Sequence, residues 1–183
     1  MDETLYNAAL KGCLILTVND RLARSLSKQY DQAQQRRELK AWLRPDILSL
    51  SAWLAHCQSQ ISGMPSFLNK SQLQHVWESI VSADVERTGN QLLQIPQTAK
   101  RALQAHQLLT KYSASFATNE SAEDHKAFLR WRKAWQRLSN EHGWHDTVEL
   151  PWLLAASIEK NLFSVSKKVI LAGFDDITPD LER

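Results

Sequence analysis

The stretch Leu14–Leu26 reads as a strand running straight into a helix, the place where an α/β protein would carry a phosphate-gripping loop. Such a loop needs glycines, so that backbone N–H groups can approach the phosphates, and a lysine to reach the terminal one. The connection here is Thr17-Val18-Asn19-Asp20-Arg21, with no glycine and no Gly-Lys-Ser/Thr. None of the five glycines (Gly12, Gly63, Gly89, Gly143, Gly173) opens such a motif, and Asp20 would repel a phosphate at the helix start. ATP binding, and any other cofactor, is therefore not expected.

Three further groups have residue types that do chemistry. Asp175-Asp176 follow a short apolar run, and acids at the carboxyl end of a parallel strand often hold Mg²⁺. The competing reading is a solvated turn, with Pro179 opening the next helix, and it is preferred because no other carboxylate converges there. His142-x-x-His145 has metal-like spacing, but Gly143 interrupts the helix and no third ligand is placed, so two unrelated loop histidines are expected and no metal. On the stretch 121–142, Phe128, Trp131, Trp135 and Leu138 cluster on one side of a helical wheel, and Lys126, Arg130, Lys133 and Arg137 on the other. The aromatic side reads as core. The basic side is either a solvated face or a ridge of four unopposed cations able to track a phosphate backbone. Arg21, Arg24 and Lys28 form a smaller basic set on the first long helix. No catalytic nucleophile or acid–base arrangement is identifiable.

Certain elements must position these groups. The apolar runs Cys13–Val18, Asp46–Leu50 and Lys168–Phe174 do not alternate polar and apolar, which predicts buried parallel strands covered on both faces. Asn19 is placed to cap a helix over Asp20–Glu38, and Ser51 one through Ile61 carrying Trp53, Leu54 and Cys57. From about Lys70 to Lys160 the strand signal vanishes, and helical spacing predicts helices over Ser71–Ala83, Gln97–Phe116, Ser121–His142 and Thr147–Asn161. The fold class expected is α/β but mostly helical overall: a parallel sheet from residues 1–65 and 165–183, with a helical subdomain inserted over 66–164.

The 22 basic and 20 acidic residues divide evenly between the two halves, so the summed field alone argues for no nucleic-acid or membrane partner. The acidic start Met1-Asp2-Glu3 and the short run Cys13–Val18 do not fit a signal peptide or a membrane span. Cys13 and Cys57 read as buried free thiols of a cytoplasmic protein. The end at Asp180–Arg183, just after a strand-turn signal, predicts a chain cut from something longer.

Four blocks then resemble a family. Leu14-Ile15-Leu16-Thr17-Val18-Asn19-Asp20-Arg21-Leu22-Ala23-Arg24 is similar to the opening of AddB-like bacterial DNA repair proteins. Trp42-Leu43-Arg44-Pro45-Asp46-Ile47-Leu48-Ser49-Leu50-Ser51-Ala52-Trp53-Leu54 resembles their next block, and Lys126–Trp131 a middle one. Val169–Pro179 resembles a Gly-Phe-acid-x-Thr-Pro strand end. The blocks stand in the right order across nearly the whole chain.

The resemblance implies the N-terminal portion of a UvrD/AddB-like helicase fold, with a RecA-like (P-loop NTPase-like) sheet and an inserted helical subdomain. It implies a PD-(D/E)XK nuclease elsewhere in full-length relatives, and none of that chemistry here. Ala172 and Gly173 stand where active relatives carry a Mg²⁺-holding Asp-Glu pair, so an inactive ATPase is implied. What would remain is single-stranded DNA contact in recombination and repair. Carried over, Thr17, Asn19 and Arg21 match one DNA-touching loop, and Ser49, Ser51 and Trp53 another, with Arg24, Lys126, Arg130, Lys133 and Arg137 adding charge. The competing reading of Trp53, as plain core, is preferred. The alternative function is a scaffold that docks a helicase or nuclease partner, or other domains of its own chain, without touching DNA.

Overall fold

The computed structural model describes residues 1–89, 94–114, 122–160, 162 and 168–182. The elements run α1 Glu3–Leu10, β1 Leu14–Thr17, α2 Asp20–Arg36, β2 Ile47–Ser49, α3 Leu50–Gln60, β3 Ser66–Leu68, α4 Lys70–Thr88, α5 Ile95–Lys111, α6 Glu123–His142 and β4 Trp144–Asp146. A 3₁₀ turn over Thr147–Glu149 leads into α7 Leu150–Glu159, then β5 Val169–Ala172 and α8 Pro179–Glu182. The chain is mostly helical and divides into two compact units, Met1–Ser62 with Leu154–Ile177, and Gly63–Leu153 with Thr178–Arg183. Among the described residues no helix is long and apolar enough to cross a membrane. The expected helix ends at Phe116, Ser121 and Asn161, and the domain boundary near 165, lie outside the described residues.

In the first unit the three apolar runs form one parallel sheet in the order β2-β1-β5, with Ile15 opposite Ile47 on one side and Ile170 on the other. All four residues of the central strand are buried, as a strand flanked by two others and covered on both faces must be. Ile15 and Ile47 join Ala23, Leu26 and Tyr30 of α2 in one core, and removing each large aliphatic side chain from water contributes about 2 kcal/mol. The outer strand β5 departs from the expectation. Val169 and Leu171 are exposed, because β5 pairs with β1 alone while α3 packs on β2 and β1.

The starts of the helices show how the loops are held. The Asn19 side chain accepts from the Leu22 N–H, the expected cap of α2. The cap of α3 is Ser49, not Ser51: β2 passes directly into the helix, and the Ser49 hydroxyl accepts from the Ala52 N–H at 3.2 Å. Gly173, just past β5, sits at φ +78°, where a Cβ would lie 2.5 Å from the Leu22 side chain.

In the second unit α4 opens with a capping box, Asn69 accepting from the N–H groups of Ser71 and Gln72 while the Gln72 side chain accepts from Asn69 N–H. Pro96 falls in the first turn of α5, where its missing N–H costs nothing. The core joins Trp77, Ile80 and Val81 of α4, Ala99 and Leu103 of α5, and Phe128, Trp131 and Trp135 of α6, so the aromatic stripe is core. Trp77 and Trp135 stack at 6.2 Å between centroids. A second, two-stranded parallel sheet of β3 and β4 lies in this unit, in a region expected to be wholly helical.

Candidate functional site

The loops at the carboxyl ends of β1 and β2 were expected to offer hydroxyl and amide groups to a phosphate. Their polar atoms are instead spent on the fold. Thr17 is fully buried and its hydroxyl donates to the Asn19 carbonyl at 2.9 Å. The Asn19 amide oxygen caps α2. The Ser49 hydroxyl donates to the Asp20 carboxylate and lies 3.1 Å from the Ser51 hydroxyl, so it ties β2 to the start of α2. Only two residues separate β1 from α2, which leaves no run of free backbone N–H groups to cradle a phosphate. Arg21 and Arg24 are exposed, and Trp53 is half-buried.

What these elements do build is a cleft of about 400 Å³ along β2, the edge strand of the sheet beside α2. Arg24 and Lys28 line it from successive turns of α2, and Arg44 from the segment entering β2. None of the three has an ion pair among the described residues. Asp20 and Asp31 also line the cleft and keep their negative charge, Asp20 accepting from the Ser49 hydroxyl and Asp31 from the Trp42 indole N–H at 2.8 Å. Ala23, Ile47 and Leu48 supply apolar wall. Three cations and two carboxylates along an open cleft leave one net positive charge there, and the cations are of the residue types that can meet a phosphate. Of the expected residues, Arg24 and Ser49 meet here. Lys28 and Arg44 complete the set. Arg44 had no sequence signal of its own, because it reaches the cleft only through the return of the chain from α2 to β2.

The basic side of α6 is corrected by its neighbours. Lys126 pairs with Glu123 at 2.8 Å and Arg137 with Glu141 at 3.6 Å. Arg130 engages Asp84 of α4 through both Nε, at 3.0 Å, and Nη2, at 2.8 Å. Arg87 and the Trp131 indole N–H also donate to this carboxylate, at 2.5 and 2.9 Å. The hydrogen bond from Arg130 above all, helped by Arg87 and Trp131, holds the Asp84 carboxyl down at about 2 against the opposing effect of burial. Of four cations expected to be unopposed, only Lys133 has no ion pair among the described residues.

The remaining candidates do not assemble. Asp175 and Asp176 are exposed in the connection to α8, which Pro179 opens. His142 stacks on Trp144 at 4.3 Å, while His145 Nδ1 lies 2.6 Å from Glu149, so the two histidines serve different partners. Among the described residues no group of three possible metal ligands occurs. Cys13 and Cys57 are free and buried, and burial pushes the Cys57 thiol up to about 11, where it is inert. His106 is buried against Trp77 and Trp135, its ring centroid 5.4 and 6.1 Å from theirs. Burial, aided by the charge of Arg132 and opposed by that of Asp146, pushes its imidazole down to about 4. No protein-family model matches the chain, and no curated protein matches it.

Proposed function

We infer that this chain is a non-catalytic, helicase-like module of a DNA repair or recombination protein, and that it holds single-stranded DNA by its phosphates. The observation that carries the reading is the row of three cations without an ion pair among the described residues, Arg24, Lys28 and Arg44, along the cleft beside β2. The three-stranded parallel sheet with β1 at its centre is compatible with a degenerate RecA-like core, and the AddB-like blocks supply the repair context. The glycine-free, two-residue connection after β1 supports an inactive ATPase.

Fluorescence anisotropy of a labelled oligo-dT strand, titrated at several salt concentrations, tests this. Three phosphate contacts give a slope of log K against log salt of about −2, since single strands release roughly 0.7 ion per contact. Arg24→Ala, Lys28→Ala and Arg44→Ala should each reduce the slope by about 0.7. Binding that is absent at low salt, or a slope unmoved by all three variants, would refute the reading.

A second reading, a docking scaffold without DNA contact, is favoured by the exposed Val169 and Leu171, two residues apart and so on one face of β5. A chain that ignores oligo-dT but binds an apolar dye, with the dye displaced by Val169→Lys and Leu171→Lys, would favour it.

A further inference from the structure

The second unit carries a feature that the DNA reading does not use. A groove of about 630 Å³ runs between α4 and α6. Its floor is aliphatic, formed by Ile80, Ala83, Ala134 and Leu138. Its rim carries Arg87, Arg130, Lys133 and Arg137, with Asp84 among the lining residues and Glu141 paired to Arg137 at 3.6 Å. Asp84 is not a free charge in the groove: it accepts from Arg87, Arg130 and the Trp131 indole together, and so holds two of the cations at the groove wall. The Arg87 and Arg137 side chains are 63% and 71% exposed, so their ion pairs with Asp84 and Glu141 are open to solvent and within reach of a ligand, and Lys133 has no ion pair among the described residues. The lining positions, 79–87 on α4 and 130–138 on α6, extend about 12 Å, a little over two helical turns.

We propose that this groove docks an acidic amphipathic helix. Aliphatic side chains of such a helix would enter the floor at i, i+3 or i+4 and i+7, and its flanking carboxylates would meet the basic rim. Charge complementarity selects an acidic occupant, since the four rim cations exceed the two carboxylates that pair with them, Asp84 and Glu141, by two. The character of the floor selects peptide over nucleic acid. Bases need an open aromatic face to stack on, and the one aromatic ring here, Trp131, is 8% exposed with its N–H committed to Asp84. The groove belongs to one unit and the cation row at β2 to the other, so this proposal stands whether or not the DNA reading does.

The test uses the whole chain and a fluorescein-labelled peptide of about twelve residues, enough for three turns, with Leu at helical spacing and Glu elsewhere. Expected are saturable binding and an affinity loss of at least about tenfold in the double variant Lys133→Glu/Arg137→Glu, with no change in Arg101→Glu on α5. Lys133 and Arg137 are exposed, so the double variant should fold, and circular dichroism checks that it does. Arg24→Ala and Arg44→Ala should leave peptide affinity untouched. Four outcomes would overturn the proposal: no binding at low salt, equal binding of a peptide with scrambled Leu spacing, stronger competition by oligo-dT than by unlabelled peptide, or occupation of the groove by a second copy, seen as self-association abolished by the double variant.

Discussion

Replacing Asp84 by Asn keeps the shape of the side chain and removes its charge from a site where three donors converge. The carboxyl is held at about 2 against an ordinary 3.8; its side chain is only 10% exposed, but its partners Arg130 and Arg87 are 35% and 63% exposed, so solvent screening discounts the contribution. At about 1.36 kcal/mol per pKa unit the full effect would be roughly 2 kcal/mol, and screening leaves about 1–2 kcal/mol near neutral pH. The sign follows from linkage. A depressed carboxyl pKa stabilises the fold fully above its unfolded value, and that contribution is lost as pH falls through the folded one. The difference between wild type and Asp84→Asn should therefore be flat from about pH 8 to 5 and shrink to under about 1 kcal/mol at pH 2.5. Urea unfolding followed by tryptophan fluorescence measures it, since Trp77, Trp131 and Trp135 all lie in this unit's core. A difference below about 0.5 kcal/mol at pH 7, in the range of an ordinary surface pair, would refute the reasoning. So would one that persists undiminished at pH 2.5.

Two further predictions concern the cores. His106 is held neutral down to about 4, whereas an unfolded imidazole takes up its proton near 6.5. Unfolding free energy should therefore fall by roughly 3 kcal/mol between pH 7 and pH 4, and His106→Leu should flatten that slope, which urea titrations across the range would show. Gly173→Ala meets both a left-handed backbone and the Leu22 side chain, and should cost about 2 kcal/mol. Gly12→Ala, at φ +74° with nothing within 4 Å of the added Cβ, should cost about half as much, and equal losses in thermal denaturation would contradict the steric account.

What could be read from the sequence depended on how local its cause was. The strands of the larger sheet were visible because consecutive apolar residues in Leu14–Thr17 and Val169–Ala172 have no helical period. The strands Ser66–Leu68 and Trp144–Asp146 were not, being three residues of mixed polarity that exist only by pairing with each other. Helix α1 also escaped notice, since Asp2 forms no side-chain cap and only Ala8 and Ala9 are buried. Asn19 was a legible cap; Ser49 lost to Ser51 because a strand passing into a helix with no residue between them shifts the boundary. In the site, Arg24 followed from its place on α2. Arg44 did not, because tertiary packing alone brings it beside Lys28. The pairs Lys126–Glu123 and Arg137–Glu141 were within helical reach in the sequence, whereas the Arg130–Asp84 contact joins two helices 46 residues apart.

The distinction between paired and unpaired cations decides how the binding experiments are to be weighed against each other. A salt slope counts charges that exchange condensed counterions for protein, not basic residues as such. Arg130 already faces a carboxylate across α4 and α6, so a phosphate reaching it must compete with Asp84, and its share of the slope should be small. Arg24, Lys28 and Arg44 have no such competitor among the described residues. A slope near −2 that collapses on their removal therefore assigns nucleic acid to the cleft beside β2. A much steeper slope, lowered instead by Lys133→Ala and Arg137→Ala, would shift the contact to α6 and remove the charge argument for an acidic peptide there. The same measurement thus separates two basic surfaces that the near-neutral composition conceals, because Arg130 and Arg137 of α6 lie against carboxylates while Arg24, Lys28 and Arg44 make no ion pair among the described residues.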